Sequence, residues 1–474
     1  MNAATSVQLQ LLPSAKPAPA PEPSTASMLV IGICTLLFFS VLSFGAVEEW
    51  SISTLEFGLG LLFLAWAVRQ TIAGRLKVES NPLYPPVVFF GIVVGVQLGF
   101  GFTAYHYATW ISAMEYLGYA ILLFLTVESL SYQSSAKILV WALTLFGFVL
   151  ALFGIIQDLT FNGKIYWLRT LHDSGAPFGP YVNHDHYAGL MEMLAPIVIV
   201  FSLSSLVSGG KRAVVALAGV IMAGSIVLSQ SRAGTAAFLG EMILLLALLL
   251  GRQRNGRVAA TLGGVCLMVL AFVAWVGTPA LWHHFSELQD WMRLAIIKDG
   301  LQMFRQKPML GWGLGTFTTV YPKFRSFYTD LFVNAAHNDY LQVLVETGLI
   351  GFGAVVWFIL AIYRAGLRNV DGWSHNWSRA LGLSALVGCT GLLIHSAFDF
   401  NLQIPANACI FYFLCAVTTC TGSNPEVMSG KSLGREPFRA TILQADFCQK
   451  RFKGEQPRSY AELPKKPRFR DWRR

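Results

Sequence analysis

The chain has 474 residues, of which 54% are hydrophobic and only 13% charged, with a mean hydropathy of +0.53. A soluble domain carries about 25% charged residues, so the composition excludes an ordinary soluble globule. The net charge of +9 does not mark a nucleic-acid binder: thirteen Lys or Arg against six Asp or Glu after Cys420 supply +7 of it, with no aromatic platform or recognition helix alongside.

Residues 1–27 are rich in Pro, Ala and Ser with a single Lys16, which predicts a disordered cytoplasmic tail and no cleavable signal peptide. Apolar runs then follow near 28–47, 53–71, 83–101, 110–128, 138–157, 188–208, 213–229, 234–250, 258–277, 339–363, 380–399 and 404–421. Runs of this length cover roughly 30 Å of hydrocarbon at about 1.5 Å per residue. The expected fold is therefore all-α: a polytopic membrane bundle of about twelve transmembrane helices spanning 28–421, with a helical periplasmic loop over 278–338. The cysteines (Cys34, Cys266, Cys389, Cys409, Cys415, Cys420 and Cys448) fall in predicted spans or the tail, which argues against a disulfide framework outside.

Positive charges set the orientation. One series of short loops holds Arg75 and Lys77, Lys137, Lys211 and Arg212, Arg252 to Arg257, and Arg364 to Arg379; the alternate loops near 48–52, 102–109 and 400–403 hold none. The first series is expected to be cytoplasmic, with both termini, in a bacterial inner membrane. The basic segment 422–474 then reads as a cytoplasmic tail facing anionic lipid. Two long segments, 158–187 and 278–338, are left outside, together with every histidine except His375.

Several outer residues can carry chemistry. In HNDYLQVLVETGLIG, His337 opens a span at the water boundary, where an imidazole can take a proton from a hydroxyl or can simply start the helix. In SQSRAG, Arg232 is a fixed cation beside the bilayer, suited to grip a lipid phosphate or to snorkel to the interface. RLAIIKDGLQMFRQKPMLGWGLGTF carries Arg293 on a locally basic, amphipathic helix, and its Gly311, Gly313 and Gly315 read as a turn rather than a nucleotide loop. Arg169, Asn338 and Asp399 are secondary candidates. Asp399, in HSAFDFNLQIPANA, could hold an arginine or cap a turn. His184, Asp185 and His186 are adjacent, which suits helix capping better than metal ligation. No metal site and no cofactor is expected.

Together, SRAG, KPMLGWGLGTF, HNDYLQVLVETGLIG and HSAFDFNLQIPANA resemble the bacterial O-antigen ligase and O-antigen polymerase superfamily. The resemblance implies a metal-independent, inverting glycosyltransferase on the periplasmic face. Its donor would be a glycan on undecaprenyl diphosphate, and its acceptor a hydroxyl of lipid A–core, of another lipid-linked glycan or of a protein serine. By motif position, Arg232 and Arg293 would bind the diphosphate and His337 would act on the acceptor. Two other readings stay open at this point: a metal-dependent membrane glycosyltransferase using Glu48 and Glu49, and a polyprenol-lipid transporter, though neither internal repeats nor broken helices are evident.

Overall fold

The computed structural model describes residues 23–74, 76–130, 133–170, 176–252, 288–330 and 332–420, with isolated positions 256, 263, 264 and 267. Thirteen α-helices fall within them: α1 (Pro23–Leu42), α2 (Glu49–Ile72), α3 (Tyr84–Gly99), α4 (His106–Ser129), α5 (Gln133–Leu159), α6 (His184–Leu203), α7 (Gly209–Leu228), α8 (Arg232–Arg252), α9 (Leu288–Gln306), α10 (Phe317–Val320), α11 (Asp339–Gly366), α12 (Trp377–His395) and α13 (Pro405–Thr419). Eight are long and apolar enough to cross a membrane, and Met28–Leu42, Tyr84–Gly99 and Pro405–Thr419 are shorter apolar helices. The expected span 258–277 and the tail 422–474 lie outside the described residues.

Two expectations need correction. The first helix starts at Pro23, inside the stretch expected to be disordered to residue 27; proline at a first helical position costs nothing because its missing N–H would be unpaired anyway. The all-α expectation also misses a short antiparallel pair, β1 (Lys164–Ile165) with β2 (Arg169–Thr170), closed by Tyr166 and Trp167 in the left-handed region.

The connections sort to two ends. At one end Lys137 lies over the Trp377 ring, Arg212 donates to the carbonyls of Ser204 and Val207, and Asn369 donates to Thr418 O. At the other, Ala406 N donates to Gly45 O, the Tyr166 hydroxyl to Leu42 O, and Ala104 N to Trp312 O. Among the described residues, Lys77, Lys137 and Arg212 thus lie toward the first end, and His184, His186, His337 and His395 toward the second. Helices α6 and α12 run through the middle, with most of their residues buried.

The α9–α10 segment does not merely sit on the surface. Its Pro308–Gly315 stretch inserts backbone against the middle of α11, which is broken at Gly348 (φ 65°, ψ −169°). Trp312 N donates to Val345 O, Gly313 N to Glu346 O and Leu349 N to Pro308 O, so the groups freed by the break are paired by the inserted loop. Glu346 accepts from the N–H groups of Gly315 (2.9 Å) and Phe317 (3.1 Å), and Gln97 of α3 donates to Leu310 O and Glu346 O. Irregular backbone survives at this depth because protein surrounds it. The absence of a broken helix expected from sequence is thereby corrected.

A Cβ at Gly348 would stand 2.3 Å from Met309 carbonyl atoms, in a conformation suited to glycine alone. Gly348→Ala is expected to destabilise the protein by about 3 kcal/mol, combining the backbone and overlap costs. A thermal melt in detergent checks this; an unchanged midpoint would mean the joint is loose.

Candidate functional site

The HND segment docks residue by residue on the turn between α12 and α13. Asp339 Oδ2 accepts from Ser396 Oγ (2.8 Å) and Leu402 N (3.0 Å), while Asp339 N donates to Ser396 O. Asn338 caps α11 by accepting from Leu341 N (2.9 Å) and donates to Ala397 O (2.9 Å). His337, held at φ 49°, places Nδ1 3.2 Å from Asp399 Oδ1. Left-handed backbone at a non-glycine residue costs on the order of 1 kcal/mol, sustained here by the neighbouring contacts.

Asp399 is almost fully buried, whereas the His337 side chain keeps 26% of its surface exposed. Burial alone would raise the Asp399 carboxyl. The hydrogen bond from His337 and the neighbouring His186, His337 and His395 outweigh that and hold it well below the usual carboxylate range. An ionised Asp399 accepts the Nδ1 proton, which leaves Nε2 with its lone pair for a substrate hydroxyl. Asp399 therefore partners a histidine, not the arginine considered from sequence. The rings of His186 and His337 both pack edgewise on Phe400, at 4.8 and 4.9 Å between centroids.

The SRAG motif joins this cluster from α8. Ser231 caps that helix by accepting from Gly234 N (3.0 Å), and its hydroxyl donates to Asp185 Oδ1 (2.6 Å) at the start of α6. Asp185, His395 and Asp399 each bring one donor atom to within 4.8 Å of the others, a spacing at which a cation could be considered. Arg232, next to Ser231, is the exposed first residue of α8. The adjacent Asn183 caps α6 through Asp185 N, as the capping reading of this segment expects.

Arg293 approaches from α9. Ile296 and Met303 share a buried cluster with Leu341 and Val345 of α11, and Gly300 packs against Leu341. Gly300 meets Leu341 and, eight residues on in both segments, Leu349 N donates to Pro308 O, so α9 and the start of α11 run the same way. Arg293, about 10 Å before Gly300, and His337, about 6 Å before Leu341, therefore sit at similar heights. Half-buried, Arg293 forms no ion pair with a described residue. Arg169 is committed elsewhere: it ion-pairs with Glu48 and stacks 4.1 Å over the Phe44 ring.

The sequence reading gave Glu192 no role and His395 only a place near the outer turn of HSAFDFNLQIPANA. Both are fully buried, with His395 Nδ1 3.0 Å from Glu192 Oε1. A lone carboxylate in the apolar run of α6 was the available signal, because intramembrane charge is rarely idle. Below the HND segment, a cavity of about 460 Å³ runs between α3, α4, α11 and α13. Its walls are apolar, including Phe90, Val94, Met114 and Phe358, and Asp339 and Gln403 border it at the HND end.

Helices that span, loops sorted to two ends, and a polar cluster at one of them define a multi-pass membrane protein with a candidate site at the end of its bundle. A model of the O-antigen ligase family matches residues 217–356, under a third of the chain, covering SRAG, KPMLGWGLGTF and HND. The match supports the O-antigen ligase and polymerase superfamily for this chain and a membrane glycan transfer activity of that type. No curated protein matches the sequence.

Proposed function

We propose that this protein transfers a glycan from undecaprenyl diphosphate to an acceptor hydroxyl on the periplasmic face of the inner membrane, as an O-antigen ligase or polymerase. The carrying observation is the His337–Asp399 pair, a base and its orienting carboxylate at the end of the bundle. His337 Nε2 takes the hydroxyl proton as the acceptor oxygen bonds to the anomeric carbon. The bond from that carbon to the phosphate oxygen breaks, its electrons leave with the diphosphate, and the configuration inverts.

Arg232 and Arg293 would stabilise the departing diphosphate, so the reaction as drawn routes no step through a metal. The ion pair of Glu48 with Arg169 weighs against the reading in which Glu48 and Glu49 hold a divalent ion. The break in α11 weighs little for a transporter, because loop backbone fills it. In vitro transfer from a defined undecaprenyl-diphosphate glycan, comparing wild type with Arg232→Ala, Arg293→Ala and His337→Ala, tests the assignment; three fully active variants would end it.

The apolar cavity suits the polyprenyl chain of the donor, with its polar end toward the reacting head. A Cβ at Gly95, whose residue lines the cavity, would meet nothing within 4 Å, so Gly95→Phe can fill the space without disturbing the helices. It is expected to raise KM about tenfold for the full-length donor and to change it little for a short-chain analogue. Equal effects on both donors would remove the chain from this cavity.

A further inference from the structure

Around Asp399 the structure holds more buried polar groups than a single hydrogen-bonded pair needs. Asp399 Oδ2 and His395 Nε2 are both buried without a hydrogen-bond partner among the described residues. His395 ends α12, and its carbonyl accepts from Phe398 N (2.8 Å) and Asp399 N (3.1 Å), so its backbone shapes the turn that carries Asp399. Its ring is fixed from the other side by Glu192, whose oxygens lie 3.0 and 3.3 Å from Nδ1. Gly234 of α8 closes the packing: a Cβ there would come 2.8 Å from Glu192 Oε1 and 2.5 Å from Ala188 Cβ. Three helices are thus fitted around a pair that touches no solvent.

The charges explain why the pair is retained. Desolvating a carboxylate and an imidazole is costly unless each finds a partner, and replacing both by apolar groups is often neutral for stability. Stability alone therefore does not call for Glu192 and His395 here. Groups facing His395 and Asp399 are Asp185, His186 and Glu192 from α6, His337 and Asp339 from α11 and its approach, and each other, with Glu241 of α8 standing against Glu192. His395 stands among three of the carboxylates, those of Glu192, Asp185 and Asp399. The ring binds Glu192 through Nδ1 and, with a ligand atom within 4.8 Å of Asp185 and Asp399 oxygens, sets its charge among all three.

We propose that Glu192 and His395 are positioning residues for the His337–Asp399 pair: Glu192 orients the His395 ring, and that ring holds the Asp399 carboxylate in place and offsets the acidic charge around it. This rests on the function proposed above. His395 acts through Asp399, and Glu192 acts through His395; neither touches substrate.

The test uses the purified full chain, glycan transfer across a pH series, and metal analysis of the same preparations. His395→Gln is expected to lower kcat about 10- to 100-fold while donor KM stays within about threefold. A neutral amide in place of a ring that carries positive charge among the carboxylates leaves more negative charge facing His337, which favours its protonated form. The acid limb of the kcat profile should therefore move up by about half a pH unit or more. Glu192→Gln keeps an acceptor for Nδ1 and should shift the limb less. Combined with His395→Gln it should add under about twofold, since both act along one path.

An unmoved acid limb, or independent effects that multiply, would overturn the proposal. So would a stoichiometric divalent metal in wild type that His395→Gln loses, because His395 would then be a ligand. If His395→Gln does not fold, the limb of Glu192→Gln decides alone. Full activity of His337→Ala would instead defeat the function itself, whereas an inactive His337→Ala beside an unshifted His395→Gln defeats only this inference.

Discussion

Replacing His337 by glycine is expected to lower kcat for glycan transfer by about 10²- to 10⁴-fold, with the stability lost along with the bond to buried Asp399 offset in part by relief of the left-handed backbone. The two halves have separate causes. Glycine takes the left-handed backbone at this position without strain, where histidine does not. The capping duty that His337 was first weighed against belongs to Asn338, whose side chain accepts from Leu341 N. A histidine that merely started the helix would therefore give a milder loss of activity. Asp399→Asn sharpens the test. An amide that turns its N–H toward His337 Nδ1 makes that atom an acceptor and moves the ring proton to Nε2, where it blocks the proposed base. A loss approaching that of the histidine variant is expected, by analogy with carboxylate-to-amide changes in hydrolytic triads, which cost about 10⁴-fold. Initial rates of transfer and a melt in detergent measure both. Activity of His337→Gly within about fivefold of wild type would remove it as the base.

Hydropathy and charge patterning read the helices well because a bilayer imposes one simple rule, a run of apolar residues of fixed length. The same rule says nothing about depth, and that is where the reading fell short. Gly311, Gly313 and Gly315 could be recognised as a turn, but not as a turn that enters a gap in α11 at Gly348. KPMLGWGLGTF and HNDYLQVLVETGLIG looked like neighbouring motifs, whereas their backbones pair with each other through Trp312, Gly313 and Leu349. Local sequence cannot show this, since the pairing joins main-chain groups that every residue carries. Asp399 stayed open between an arginine partner and a capped turn for a related reason: its own segment does not show what lies opposite, and only the docking of HND on the α12–α13 turn brings His337 to it. Glu192 went unremarked although a carboxylate within an apolar run was visible, because its partner His395 lies two hundred residues further along.

Arg232→Ala and Arg293→Ala are each expected to lower kcat by about 10²- to 10³-fold, the loss typical when a preorganised donor to a developing anion is removed. The two cations reach the site on different scaffolds. Arg232 opens α8, whose first turn carries a partial positive charge, so the helix end and the cation both favour an anion there. Arg293 stands on α9, the helix tied to α11 through Ile296, Gly300 and Met303, at the height of His337. If they grip one diphosphate, the losses should not multiply: once either is gone the leaving group is misplaced, and removing the second costs less than it does in wild type. Lysine should restore less than about a tenth of the activity at either position, because a point charge cannot replace two parallel hydrogen bonds to phosphate oxygens. Donor KM separates the roles further. A residue that binds the diphosphate only as it departs lowers kcat and kcat/KM together, whereas one that grips the bound donor raises KM as well. Arginine variants whose losses multiply fully would place the two cations on different groups, and the single-diphosphate arrangement would have to be abandoned.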